Sequence, residues 1–211
     1  MNSTTVNHGK GKGQYLIVAF LILSSLFFIN SYSHFLDFDQ KALGKYFPYK
    51  WILVGHIVGG ATALLSGPLQ FIKTFRNRFM RFHRIMGIVY LGAVLTSALC
   101  ALVLTFRTTA PLGMAYTASL QALIFAWVLT SYTAYATILK RQVLEHQQWM
   151  VRSYICTFAF VIQNYLLKIP ALMALGPFGE VAATFIWFSF SIPLLVYQNL
   201  LTYQRGLASK H

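Results

Sequence analysis

The chain has 211 residues, 57% of them hydrophobic and only 10% charged, with a mean hydropathy of +0.58. A soluble domain usually carries about 25% charged residues, so composition excludes a water-soluble globule and points to an all-α polytopic membrane protein. The net charge of +13, from 17 basic and 4 acidic side chains, would suggest nucleic acid in a soluble protein; here the basic residues flank apolar runs, so they read as a topology signal and a contact surface for anionic lipid headgroups, with no nucleic-acid partner.

Residues 1–13 are polar and rich in Gly, Ser and Asn, which predicts a disordered tail. Six apolar segments follow, near 14–33, 51–72, 85–106, 114–138, 149–167 and 181–203. Their continuous apolar character is too long for barrel strands, which are shorter and alternate. The expected architecture is a single bundle of six transmembrane helices over residues 14–204, with a short C-terminal tail at 205–211. The first segment has a basic start, and Ser31-Tyr32-Ser33 is a weak match for a small-x-small cleavage site. Its apolar stretch exceeds a signal core, so it reads as a retained helix.

Charge sets the orientation. Lys10 and Lys12, the cluster Lys73, Arg76, Arg78, Arg81 and Arg84, then Lys140, Arg141 and Arg152, and finally Arg205 and Lys210 fall on one side of six spans. The other side holds Lys41, Lys45, Lys50, Arg107 and Lys168 with Asp37, Asp39 and Glu180. The positive-inside rule puts both termini in the cytoplasm. Aromatic residues at span ends agree: Tyr46, Phe47, Tyr49 and Trp51 outside, Trp149, Tyr197 and Tyr203 inside. Cys100 and Cys156 are expected at different depths, about 10 Å apart by helical rise, too far for a disulfide.

Four histidines fall at span ends, His34 and His56 outside, His83 and His146 inside. Neutral imidazole is the commonest protein metal ligand. The second span is the most distinctive. Neighbours of His56 at helical spacing are Gly59, Gly60, Ala63 and Gly67, so the histidine heads a groove almost without side chains. A flat cofactor lying there and close packing by another helix are both compatible with that groove. His56 lies about 7.5 Å past Trp51 by helical rise, inside the outer leaflet, where an imidazole needs a partner. Pro68 removes a backbone donor and should kink the helix or end it early. On the inner side, His83 precedes Arg84 and has Gly87 one turn on, while His146 opens Glu145-His146-Gln147-Gln148-Trp149-Met150-Val151-Arg152. His83 and His146 should lie at similar depth and share one ligand, with Arg81, Arg84 and Arg152 available for an anionic group. Two hydrated interfacial histidines are the plainer alternative.

Two histidines per face do not make a closed zinc site. They do suffice for haem, whose macrocycle supplies the remaining ligands. His56 with His34, and His83 with His146, are therefore candidate haem b axial ligands. No acid or Lys/Arg lies in mid-span, which speaks against an ion-coupled transporter. No P-loop or dinucleotide fingerprint is present.

Three stretches appear in order: His56-Ile57-Val58-Gly59-Gly60 through Gly67-Pro68-Leu69-Gln70-Phe71, His83-Arg84-Ile85-Met86-Gly87-Ile88-Val89-Tyr90, and Glu145 to Arg152. Together they resemble a family of bacterial multi-pass membrane proteins catalogued as a domain of unknown function. The resemblance covers roughly residues 50–170, implies the cytoplasmic membrane of a bacterium, and brings no reaction with it. The expectation that follows is a b-type haem protein moving electrons, with a quinone or another redox partner. The alternatives are a protein that binds or transports a small molecule or lipid, and a non-enzymatic accessory subunit held by its glycine face.

Overall fold

The structure, a computed structural model, describes residues 8–31, 33–36 and 39–208, and the regular structure among them is helical throughout. Six long helices carry it: α1 (His8–Ser31), α2 (Lys50–Gln70), α3 (Met80–Thr108), α4 (Met114–Leu139), α5 (Val143–Leu167) and α6 (Phe178–Ala208). Four of them, α2, α3, α4 and α6, are long and apolar enough to cross a membrane by length and composition alone. α1 supplies a shorter apolar stretch, Tyr15–Ser31, and α5 is diluted by Arg152, Ser153, Thr157, Gln163 and Asn164.

Helices extend beyond the apolar segments at the end of the bundle that carries Arg81, Arg84 and Arg152, here called the basic end. α3 begins at Met80 and α5 at Val143, so His83 and His146 lie in first turns rather than in loops. Lys, Arg, Glu and Gln are good helix formers, and no Gly or Pro interrupts them there. α1 likewise begins at His8, ahead of residue 14. Of the expected tails, 8–13 and 205–208 are helical, and 1–7 and 209–211 lie outside the described residues.

The molecule is turned inside out relative to a soluble protein. Leu16, Ile17, Phe20, Ile88, Phe106, Phe125 and Leu195 point outward, while Ser25, Ser97, Ser119, Ser153 and Thr157 are buried. In a bilayer that distribution costs nothing, because lipid tails are as apolar as leucine and only the polar groups need partners.

α2 and α3 pack most extensively against each other, and α4 and α5 form a second close pair. α6 lies against α4 and α5, and α1 against α2 and α5, so α5 is central. Small residues permit this. A Cβ on Gly59 would stand 2.9 Å from the Ala93 carbonyl oxygen, so only glycine allows α2 and α3 backbones this close. The proline of α2 is absorbed in the same way. Pro68 has no N–H to give the Leu64 carbonyl one turn back. The Tyr154 hydroxyl of α5 donates to that carbonyl instead, at 3.1 Å. Its ring reaches α2 by lying on Gly67, where any side chain would overlap it. The helix then ends at Gln70, two residues past the proline.

Candidate functional site

His56 stands in the second turn of α2 and is fixed by Ser97 of α3. The Ser97 hydroxyl donates to the His56 carbonyl at 2.9 Å. The His56 ring places Nδ1 3.1 Å from the Ser97 carbonyl oxygen and 3.0 Å from its Oγ. A carbonyl only accepts, and the Ser97 proton is already committed, so Nδ1 carries the ring hydrogen. Nε2 is then the nitrogen with the free lone pair. The close approach at Gly59 is what lets Ser97 reach this histidine.

His56 lines a cavity of about 370 Å³ in the half of the bundle away from the basic end. This lies within the usual range for small-molecule sites. Its walls are rich in aromatic rings: Phe28, Phe35, Tyr46, Tyr116, Trp127, Phe160 and Phe178. Phe160 meets the His56 ring edge-on, 6.1 Å between centroids. Gly60 also lines the cavity, where its missing side chain leaves room beside Ser97. The glycine face of α2 is thus divided, with Gly59 and Gly67 spent on packing and Gly60 on space.

The polar part of the wall comes from α5. Gln163 is 7% exposed and lines the cavity. Asn164 lies beside it. Thr157, also in the wall, belongs to a chain of hydroxyls that runs toward the basic end. It accepts from Trp127 Nε1 at 2.8 Å, the Tyr90 hydroxyl is 2.8 Å from both Thr157 Oγ1 and Ser153 Oγ, and Ser153 Oγ is 2.7 Å from Ser131 Oγ. These groups tie α3, α4 and α5 together and satisfy one another in an apolar medium. No Lys, Arg, Asp or Glu lines the cavity among the described residues. Lys45 Nζ stands nearby, donating to the carbonyl of the wall residue Thr108 at 2.9 Å.

At the basic end, His146 Nδ1 is 2.8 Å from the Ala134 carbonyl oxygen of α4, which again leaves Nε2 as the free ring nitrogen. His83 lies close enough for its charge to interact with those of His146, Arg76 and Arg84. Arg152, expected with them, turns to α6. Its guanidinium stacks on Trp149 and Tyr197 at 4.5 Å and 5.3 Å from the ring centroids and donates to Gln198 Oε1 at 2.7 Å. No group of three His, Cys, Asp or Glu side chains that could hold a metal ion occurs among the described residues.

The structure therefore brings His56 together with Gly60 in one cavity wall and leaves His83 within electrostatic reach of His146 and Arg84. Gly59 and Arg152 serve elsewhere. His34 falls in a short 3-10 turn, Ser33–Leu36, and its side chain lies outside what is described. Sequence reasoning missed Ser97, Tyr90, Trp127, Ser153, Thr157 and Gln163. A signal was available, because polar side chains inside apolar spans need partners or a use.

Residues 53–201 match the family of predicted membrane proteins DUF2306, a domain of unknown function, and the chain belongs to that family. No curated protein and no solved structure matches it.

Proposed function

We propose that this integral membrane protein binds a small, largely apolar molecule with a flat oxygen-bearing ring, such as a quinol or quinone, in the His56 cavity. One observation carries the reading. His56 is held with Nδ1 on Ser97 and its Nε2 free to accept, in an aromatic cavity that Gln163 also lines. A ligand that hydrogen-bonds to Nε2 and to the Gln163 side chain would gain about 0.5–1.5 kcal/mol for each bond. A ring hydroxyl would donate to Nε2, and a ring oxygen would accept from Gln163. Aromatic walls suit a flat ring, and the lack of a charged wall suits a neutral one.

A second reading, a b-type haem, is supported at the basic end rather than in the cavity. Among the described residues the cavity wall offers one imidazole and no cation for a propionate. His83 is within electrostatic reach of His146 and Arg84, and His146 has its Nδ1 on a backbone carbonyl, the orientation typical of metal-bound imidazoles. His83 and His146 would hold the haem iron, Arg84 would pair with an anionic group on it, and the haem would supply one-electron chemistry. Electron exchange between such a haem and a quinol in the cavity would join the two readings. We further propose that all six long helices span the cytoplasmic membrane of a bacterium, with the basic end and both termini in the cytoplasm, as the basic clusters support.

The test is to purify the full chain in mild detergent, extract and identify co-purifying ring compounds by mass spectrometry, and titrate a short-chain quinol. His56→Ala should weaken binding about tenfold, the worth of one good buried hydrogen bond. No co-purifying ring compound and no quinol binding would overturn the cavity reading. A haem-replete preparation without Soret absorbance would overturn the haem reading.

A further inference from the structure

We infer that the groove between α1, α5 and α6 holds one acidic phospholipid from the leaflet at the basic end, its headgroup at Arg152. The groove encloses about 700 Å³ and is almost wholly apolar. Val151, Ile155, Phe158 and Ile162 form its α5 wall, Val18 of α1 faces them, and Pro193 of α6 closes it. The four α5 residues follow i, i+4, i+7 and i+11 spacing, one continuous helical stripe. From Val151 to Ile162 the helix rises about 16 Å, roughly half of a 30 Å hydrocarbon core. The groove therefore has the length of one leaflet's acyl chains, and lipid is what surrounds it.

Charge selects which lipid. At the basic end of the groove Arg152 follows Val151, and Tyr197 lies one turn beyond Pro193 on the same side of α6. The guanidinium stacks between Trp149 and Tyr197, residue types that mark headgroup depth. It has no carboxylate partner among the described residues, since the nearby Glu145 pairs with Arg205 at 3.3 Å. Its Nη1 is enclosed and makes no hydrogen bond. A cation left unneutralised at this depth attracts the phosphate of an acidic lipid, and basic pockets between helices on that side recognise such headgroups. The stacking holds the planar fork that pairs with phosphate oxygens.

The test uses full-length protein extracted in mild detergent from membranes that contain both phosphatidylglycerol and phosphatidylethanolamine. Retained phospholipid is quantified by mass spectrometry of the extracted lipid. The wild type should retain about one acidic phospholipid per chain, enriched over its share of the membrane. Arg152→Gln should lower that enrichment about fivefold, the worth of one basic residue at a lipid surface. Ile155→Trp, which fills the groove, should reduce retained lipid of both classes with Arg152 intact; Val18→Trp does the same from the other wall if Ile155→Trp fails to fold. His56→Ala should leave retention unchanged, which separates this site from the cavity. A wild type without acidic enrichment, or an Arg152→Gln protein that keeps it at an unaltered thermal midpoint, would overturn the inference.

Discussion

Tyr154→Phe tests the hydroxyl that meets α2 at the point where it tolerates its proline, and which also lies against Ser25. The variant keeps the ring on Gly67 and removes only the hydroxyl that donates to the Leu64 carbonyl at 3.1 Å. That carbonyl then has no donor, because Pro68 has no N–H to offer it. Stranding a buried carbonyl costs about 1–3 kcal/mol. At about 2–4 °C per kcal/mol for a chain of this size, the thermal midpoint should fall by about 2–12 °C. Unfolding in detergent can be followed by labelling Cys156, a free thiol that is fully buried in the folded state. The decisive control is Pro68→Ala, which restores an N–H one turn after Leu64. In that background Tyr154→Phe should cost much less, giving a coupling of about 1 kcal/mol or more in the double-mutant cycle. Strictly additive effects would show that Tyr154 stabilises by its other contacts and that the carbonyl was never dependent on it.

Other expectations follow from the same geometry. Gly59→Ala should destabilise by about 1–3 kcal/mol through overpacking against the Ala93 carbonyl, whereas Gly60→Ala, whose Cβ would meet Ser97 Oγ at 3.5 Å, should be neutral or gain up to about 1 kcal/mol of helix propensity; equal midpoints for the two would contradict the division of that face. Tyr90→Phe removes an oxygen bonded at 2.8 Å to both Ser153 and Thr157 and should cost about 1–3 kcal/mol, read as a lowered thermal midpoint. Gln163→Leu should weaken quinol binding, since it removes the amide that faces the cavity; a variant that binds as the wild type does would remove Gln163 from the site. Glu145→Gln should change stability by less than about 1 kcal/mol, because its pair with Arg205 is exposed.

Apolar run length and charge made the class of fold legible, and the three motifs around His56, His83 and His146 made the family legible. The elements extended past their apolar cores because hydropathy reports depth in a membrane, whereas helicity continues through Met80–Arg84 and Val143–Gln148 on propensity alone. His56 was legible as a site through its depth and its glycine neighbours. Ser97 was not, since one serine among the small residues of α3 carries no periodic signal and its role depends on the register of α2 against α3. That register is set by Gly59, which the sequence presents as equivalent to Gly60. Arg152 illustrates the opposite error. Its place in a basic cluster suggested company with His83 and His146, but helical phase turns it toward Tyr197 and Gln198 of α6.

Both proposed sites converge on α5, one of the two long helices that do not combine the length and hydropathy of a span. α5 has too many polar side chains to count as an apolar span, yet it packs against α1, α2, α4 and α6. Its polar groups are mostly spent on those neighbours: His146 on Ala134, Ser153 on Tyr90 and Ser131, Thr157 on Trp127, Tyr154 on Leu64. In lipid a polar side chain without a partner is costly, so exceptions are informative. Two side chains on this helix are not spent in this way: Arg152 Nη1 is enclosed without a hydrogen bond, and Gln163 faces the cavity. Gln163 lies in the wall of the aromatic cavity and Arg152 at the basic end of the acyl-length groove. If both are there for ligands, making both apolar should give a helix that crosses a membrane more readily in a protein that retains neither ring compound nor acidic lipid.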